Sequence, residues 1–230
     1  MDVPAVRAVN LGRRFGPVWA VRRITLTVPA GRVLLVSGPN GSGKTTLLRL
    51  LATALRPTAG GGTVFGCDLV RQADRVRPMV GLVGAAFGGY ELLTARENLE
   101  FAAALWGRPQ TDVDAWLRRV DLGAAADRLV RTFSQGMKRR LALARVWLGQ
   151  PRLLLLDEPY AGLDPEGAAL VAAMVAEVVA RGGSAVIATH DRDRARALAD
   201  AELVLQAGEP AALRSLAPGA PAFAAQGGRP

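Results

Sequence analysis

Apolar and polar positions alternate from Ile24 to Val28, with Ile24, Leu26 and Val28 set against Thr25 and Thr27. That two-residue period predicts a strand with one buried face. After Pro29-Ala30-Gly31 the pattern changes to the unbroken apolar run Val33–Val36, which predicts a strand buried on both faces. Leu153–Leu156 and Ala185–Ala188 are further runs of that kind, Val80–Val83 is a strand ending at Gly84, and Leu203–Leu205 is expected to be the last strand. Arg56–Gly62 is expected to be a loop, leading to a short strand and turn at Thr63-Val64-Phe65-Gly66. Helical patterns lie between the strands. Leu47–Ala52 is a run of good helix formers, and Thr94-Ala95-Arg96-Glu97 has capping-box form ahead of a helix through Trp106. Asp112–Val120 places Trp116 and Leu117 on its apolar side, and Pro165–Arg181 has proline in its first turn and Gly182-Gly183 at its end.

Strands alternating with helices predict an α/β fold with a mostly parallel sheet covered on both faces. Residues 1–37 read as β, an antiparallel N-terminal part. Residues 88–150 carry no strand signal and read as an α-helical lobe inserted between two core strands. One domain is expected over 1–206. Residues 207–230, rich in Ala, Gly and Pro, are expected to form a poorly ordered tail.

The chemistry concentrates at Gly38–Thr46, the sequence G-P-N-G-S-G-K-T-T, which fits G-x-x-x-x-G-K-[ST] between a strand and a helix. Glycines let a backbone approach an anion closely, and free N–H groups at a helix start favour negative charge. Gly38, Pro39, Asn40, Gly41, Ser42, Gly43, Lys44, Thr45 and Thr46 are therefore assigned to nucleotide phosphates, with Lys44 on the β- and γ-phosphates and Thr45 on Mg²⁺. Leu153–Leu156 ends in Asp157-Glu158. A buried parallel strand brings its carboxyl end to the ligand edge of such a sheet. Asp157 is assigned to Mg²⁺, and Glu158 to the water that attacks the γ-phosphate. His190, the only histidine, follows the strand Ala185–Ala188 and reaches the same edge, where it can sense the γ-phosphate. Phe15, flanked by Gly16 and Pro17, is either an adenine-stacking aromatic or an ordinary loop anchor.

The 230 residues carry a net charge of +9, which suits anionic partners without choosing among nucleotide, nucleic acid and membrane surface. A single cysteine, Cys67, forms no internal disulfide, and no secretion signal or membrane-spanning run is visible. A cytoplasmic protein is expected, serving any membrane through a partner.

Taken together, the phosphate loop, Phe133-Ser134-Gln135-Gly136-Met137, Leu153–Glu158 and His190, in that order, resemble the ATP-binding subunit of an ABC transporter from Val6 to about Gly208. The family signature is usually L-S-G-G-Q. Ala161-Gly162-Leu163-Asp164 resembles the short loop after the acidic pair, and Phe15 takes the place of the adenine-stacking aromatic. The resemblance implies a P-loop NTPase core, ATP and Mg²⁺ as ligands, and two copies meeting head to tail. Ser134, Gln135 and Gly136, with Asp164, are assigned on this basis to nucleotide, Ser134 and Gly136 completing the site of the second copy. It also implies an integral membrane permease as partner, a position on the inner face of the cell membrane, and no nucleic acid. The F-S-Q-G-M signature looks like the drug, lipid and haem-exporter branches, and T-A-R-E-N-L-E-F like the haem exporter of cytochrome c biogenesis. One family residue is missing. A glutamine is expected after Val80–Val83, but the stretch is Gly84-Ala85-Ala86-Phe87-Gly88, with Ala86 as its counterpart. Alternatives are a soluble ATPase of this type acting on ribosomes or DNA, supported only by charge, and a non-catalytic nucleotide-binding regulator.

Overall fold

A computed structural model describes residues 3–216 and 223–225. The chain runs β1 (Val6–Phe15), β2 (Val18–Val28), β3 (Val33–Ser37), α1 (Lys44–Leu51), β4 (Ala59–Val64), β5 (Cys67–Asp68), α2 (Ala73–Val76) and β6 (Val80–Val83). Then come α3 (Ala95–Leu105), α4 (Val113–Arg119) and α5 (Gln135–Trp147), followed by β7 (Leu153–Asp157), α6 (Pro165–Ala180), β8 (Ser184–Ala188), α7 (Arg192–Arg196), β9 (Ala201–Gln206), β10 (Glu209–Ser215) and β11 (Ala224–Ala225).

One sheet has the order β10-β9-β3-β8-β7-β6, parallel except for the edge pair β10–β9. Its apolar runs serve two cores in alternation. Leu34, Val36, Leu153, Leu155 and Val186 face α1 and the N-terminal sheet, whereas Leu35, Leu154, Leu156 and Ile187 face α5 and α6. This two-sided burial is why these strands show no period of two. The second sheet, β11-β2-β1-β4-β5, is antiparallel in its observed pairings. A third core, with Leu99, Leu117, Val130, Leu141 and Leu148, holds the helices between β6 and β7 together. The α5 helix joins two cores, giving Leu141 and Ala144 to this one and Leu143 and Trp147 to the sheet.

Two expectations are corrected. Residues 59–62 are strand, not loop. The glycines there serve close strand approach: Gly60 has φ +63°, and a Cβ on it would stand 2.1 Å from the Asn10 carbonyl oxygen. Likewise Leu203–Leu205 is not the last strand, and regular structure does not stop at residue 206. The chain turns at Ala207-Gly208 and pairs β10 against the free edge of β9. The turn is held by Arg22 N–H on the Gly208 carbonyl (2.8 Å) and the Arg22–Glu209 ion pair (2.8 Å). Residues 217–222 and 226–230 of the expected tail lie outside the described residues. Among the described residues no helix is long and apolar enough to cross a membrane.

Candidate functional site

The phosphate loop leaves β3 and enters α1, as the strand–loop–helix pattern predicts. Gly43 caps α1 from the left-handed region at φ +101°, and a Cβ there would meet the Ala20 carbonyl oxygen at 2.4 Å. No side chain caps this helix, so its first N–H groups remain available to an anion. The loop floors a cavity of about 450 Å³ lined by Phe15, Ala20, Asn40–Thr46, Ala85, Asp157 and Glu158. The Lys44 ammonium donates to the Gly38 and Pro39 carbonyls at 2.8 and 3.1 Å, which holds it against its own loop. Phe15 ends β1, half exposed at the cavity rim, with the Arg13 guanidinium 4.8 Å over its ring.

Opposite the loop, the β7 edge delivers Asp157. Its Oδ1 accepts from the Thr45 hydroxyl at 3.1 Å, and its residue is 3% exposed. Burial raises the Asp157 pKa above its ordinary value, opposed by the Thr45 hydrogen bond and raised further by Glu158. A buried carboxylate beside a hydroxyl suits a hard divalent cation, which needs oxygen ligands and takes the rest of its shell from phosphate and water. The residues therefore fit Mg²⁺ held by Thr45 and Asp157. Among the described residues no cluster of three or more His, Cys, Asp or Glu offers a self-sufficient metal site.

Glu158 turns away from the strand at φ +49°. Its Oε2 accepts from the Thr189 hydroxyl (2.8 Å) and the His190 N–H (3.3 Å), and lies 2.8 Å from His190 Nδ1. The adjacent ends of β7 and β8 thus bring the two assigned catalytic residues together. Thr189 was not legible as a partner, because its role depends on that turn.

The signature residues are elsewhere. Ser134 caps α5, accepting from Met137 N–H at 3.2 Å, and neither it nor Gln135 nor Gly136 lines the phosphate cavity. Asp164 is likewise away from that cavity. It caps α6 by accepting from Gly167 N–H (2.8 Å) and takes a two-pronged contact from Arg140 Nη2 (2.8 and 2.9 Å). The Gly167 hydrogen bond, then Arg140, hold its carboxyl below the ordinary value. Of the 84–88 stretch, Ala85 lines both the phosphate cavity and a separate groove between β6 and α5, and Ala86 lines only that groove.

Glu202 was also missed. It is fully buried on β9, accepting from Ser37 (2.6 Å), Arg192 (2.9 and 2.5 Å) and Arg196 (2.9 Å). Ser37 precedes the phosphate loop and Arg192 follows His190 by two residues, so this carboxylate ties the two loops together. Burial pushes its pKa up, but the hydrogen bonds from Ser37, Arg196 and Arg192 win and hold it down to about 2. A depressed carboxylate pKa stabilises the fold fully above the unfolded value of 4.5, and that stability is lost as pH falls toward about 2. Glu202→Gln is expected to cost about 2–3 kcal/mol by urea denaturation at pH 7, the low side because Arg192 and Arg196 keep contact with water. The difference from the parent protein should shrink steadily below pH 4.5.

A phosphate loop between a parallel strand and a helix, faced by an Asp-Glu pair at the end of a strand of the same sheet, two places along, defines a nucleotide-binding protein of the P-loop class. A family profile described as "ABC transporter" matches residues 21–161. The chain is 41% identical over 208 residues to the daunorubicin resistance ATP-binding protein DrrA3 of Streptomyces coeruleorubidus, covering 89% of this chain and 66% of that one. It is 43% identical over 187 residues to the cytochrome c biogenesis ATP-binding export protein CcmA of Xanthomonas campestris pv. campestris (strain 8004), covering 81% and 86%. A solved dimeric ATP-binding cassette in a post-hydrolysis state, bound to ADP and Pi, shares the fold with a TM-score of 0.83 at 24% identity, covering 93% of this chain and 99% of that one. The chain belongs to the ABC transporter family. It spans about two thirds of the length of the daunorubicin-resistance relatives it matches.

Proposed function

We propose that the chain binds and hydrolyses ATP to drive an exporter through a separate membrane-spanning partner. The observation that carries this reading is the meeting of two loops in one cavity, Lys44 and Thr45 from the phosphate loop with Asp157 and Glu158 from the end of β7, and the backing of Glu158 by His190 from the loop after β8. The loop N–H groups and Lys44 bind the triphosphate, and Phe15 stacks on the adenine. Thr45 and Asp157 hold Mg²⁺, whose charge offsets that of the phosphates. Thr189 and His190 engage Oε2 of Glu158, leaving Oε1 to orient the attacking water and take its proton. The water oxygen forms a bond to the γ-phosphorus, the bond to the β-bridging oxygen breaks, and ADP and phosphate leave.

Ser134 and Gly136 stand outside this cavity at an exposed helix start, which supports a second copy arranged head to tail, each signature closing the other's site. The groove of about 360 Å³ lined by Arg49, Phe87, Leu105, Trp106 and Arg145 supports a docked segment of a permease, as do the exposed Tyr90, Leu92 and Leu105 nearby. Such docking places the subunit on the cytoplasmic face of a membrane. The relatives' names, drug resistance and cytochrome c biogenesis export, support an exporter; the permease selects the cargo. The pairing of Glu158 with His190 favours catalysis over a purely regulatory nucleotide site.

The test is phosphate release from Mg²⁺-ATP by the purified chain, alone and with nucleotide titrations of Phe15→Ala. Base–aromatic stacking contributes about 1–3 kcal/mol. Phe15→Ala is therefore expected to weaken ATP binding about 5- to 100-fold and leave inorganic triphosphate binding unchanged. Equal losses for both ligands would make Phe15 a structural residue, and absence of turnover would refute the ATPase reading.

A further inference from the structure

Arg139 is 6% exposed on α5, and no carboxylate forms an ion pair with it among the described residues. Its guanidinium is solvated instead by backbone. Nε donates to the Pro159 carbonyl (3.2 Å), Nη2 to those of Asp157 (2.7 Å) and Glu158, and Nη1 to that of Gly84. Three of these carbonyls are consecutive. They belong to the turn in which Glu158 occupies the left-handed region at φ +49°, where a side chain with a Cβ stays only when its surroundings hold it. The fourth is the end of β6, one residue before Ala85 reaches the phosphate cavity. A planar fork with five donors can satisfy such converging carbonyls at once, and a buried cation needs every one of them.

We propose that Arg139 is a positioning residue: it fixes the Asp157–Pro159 turn so that Glu158 faces Thr189 and His190, and it carries displacements of α5 and of the Gly84–Gly88 stretch to that acid. Ala85 offers the cavity only a methyl group. Besides the pairing of β6 with β7, the side-chain link from that stretch to the acids runs through the Arg139 guanidinium. Because α5 begins at the Ser134 cap, one side chain joins the signature end, the β6 end and the catalytic turn. The inference rests on the ATPase reading for its consequence, but not for its geometry.

The test pairs hydrogen–deuterium exchange with kinetics on the full chain. Arg139→Lys keeps a cation but loses the fork. Exchange should quicken about tenfold or more in peptides covering 84–88 and 157–161 and stay unchanged in α6. The variant's kcat for ATP should fall about tenfold or more, with KM within about twofold. Wild-type exchange in both segments, or kcat unchanged, would overturn the proposal; so would a uniform rise in exchange with kcat and KM failing together. A second measurement needs no variant. In the wild-type chain under increasing urea, residues 84–86, 157–160 and the first turn of α5 should open as one unit, and independent opening would overturn the proposal. If the wild-type chain releases no phosphate, the ATPase reading fails while the exchange arms still decide the role of Arg139.

Discussion

Glu158→Gln is expected to bind ATP with wild-type affinity and hydrolyse it about 10²–10³ times more slowly, within the range that general bases contribute. The side chains are nearly the same size, so the cavity keeps its shape. The amide still accepts at its oxygen, and the Thr189 hydroxyl and His190 N–H contacts to Oε2 have a counterpart. It cannot take the proton of the attacking water. Binding depends on other groups: the loop N–H groups, Lys44, Thr45 and Asp157. Affinity and turnover should therefore separate cleanly, which a fluorescent-nucleotide titration beside a single-turnover assay will show. Wild-type turnover in this variant would remove Glu158 from the mechanism.

Lys44→Ala is expected to weaken ATP about 10- to 100-fold, because a hydrogen bond to a charged group contributes about 1.5–3 kcal/mol. The loss has a second source. Lys44 also ties the Gly38 and Pro39 carbonyls together, so its removal loosens the loop whose N–H groups bind phosphate. Lys44→Met keeps the length of the side chain without its charge and isolates the direct phosphate contact. Both variants should lose inorganic triphosphate as well as ATP, in contrast to Phe15→Ala. Titration with both ligands distinguishes the phosphate end of the cavity from the base end.

The parts of the site that could be read from sequence are those whose chemistry lies within one strand–loop–helix unit. The phosphate loop, the Asp157-Glu158 pair and His190 each follow a fully apolar run, and a parallel sheet sends all three run ends to one edge. The capping box at Thr94 was legible for the same reason, whereas Asp164, assigned to nucleotide, caps α6 instead. What escaped depends on pairing between distant segments. Ala59–Gly62 carries turn residues, yet β1 supplies a close partner that only glycine can approach. Residues 209–215 have no clear period because they form an edge strand, held by β9. Which residue of the 84–88 stretch lines the phosphate cavity, Ala85, depends on the turn after Gly84 and is not marked in the sequence.

The buried charges illustrate the limit best. In the sequence, Arg139 is one of three consecutive basic residues, Lys138 to Arg140, which reads as a solvated helix face. Helical spacing gave one usable signal, since Arg139 shares a stripe with Ala142, Leu143 and Val146, which pack on the sheet core. Its partners are backbone carbonyls, which leave no mark in the side-chain pattern. Glu202 sits in an apolar strand whose neighbours Ala201 and Leu203 face the opposite core, and its partners come from β3 and α7.

The central claim is that the Gly38–Thr46 loop is half of a site completed by Ser134 of a second copy. Mixing two inactive variants tests it directly. Lys44→Ala disables the loop and leaves the signature. Ser134→Asp keeps a good helix cap but sets a negative charge against the γ-phosphate. Each alone should release little phosphate from Mg²⁺-ATP. A mixture of the two contains dimers in which the intact loop of one subunit meets the intact signature of the other. The account predicts that phosphate release reappears on mixing, rising with the fraction of mixed dimer. If the mixture stays as inactive as its components while each still binds its expected ligands, the site is not shared between copies.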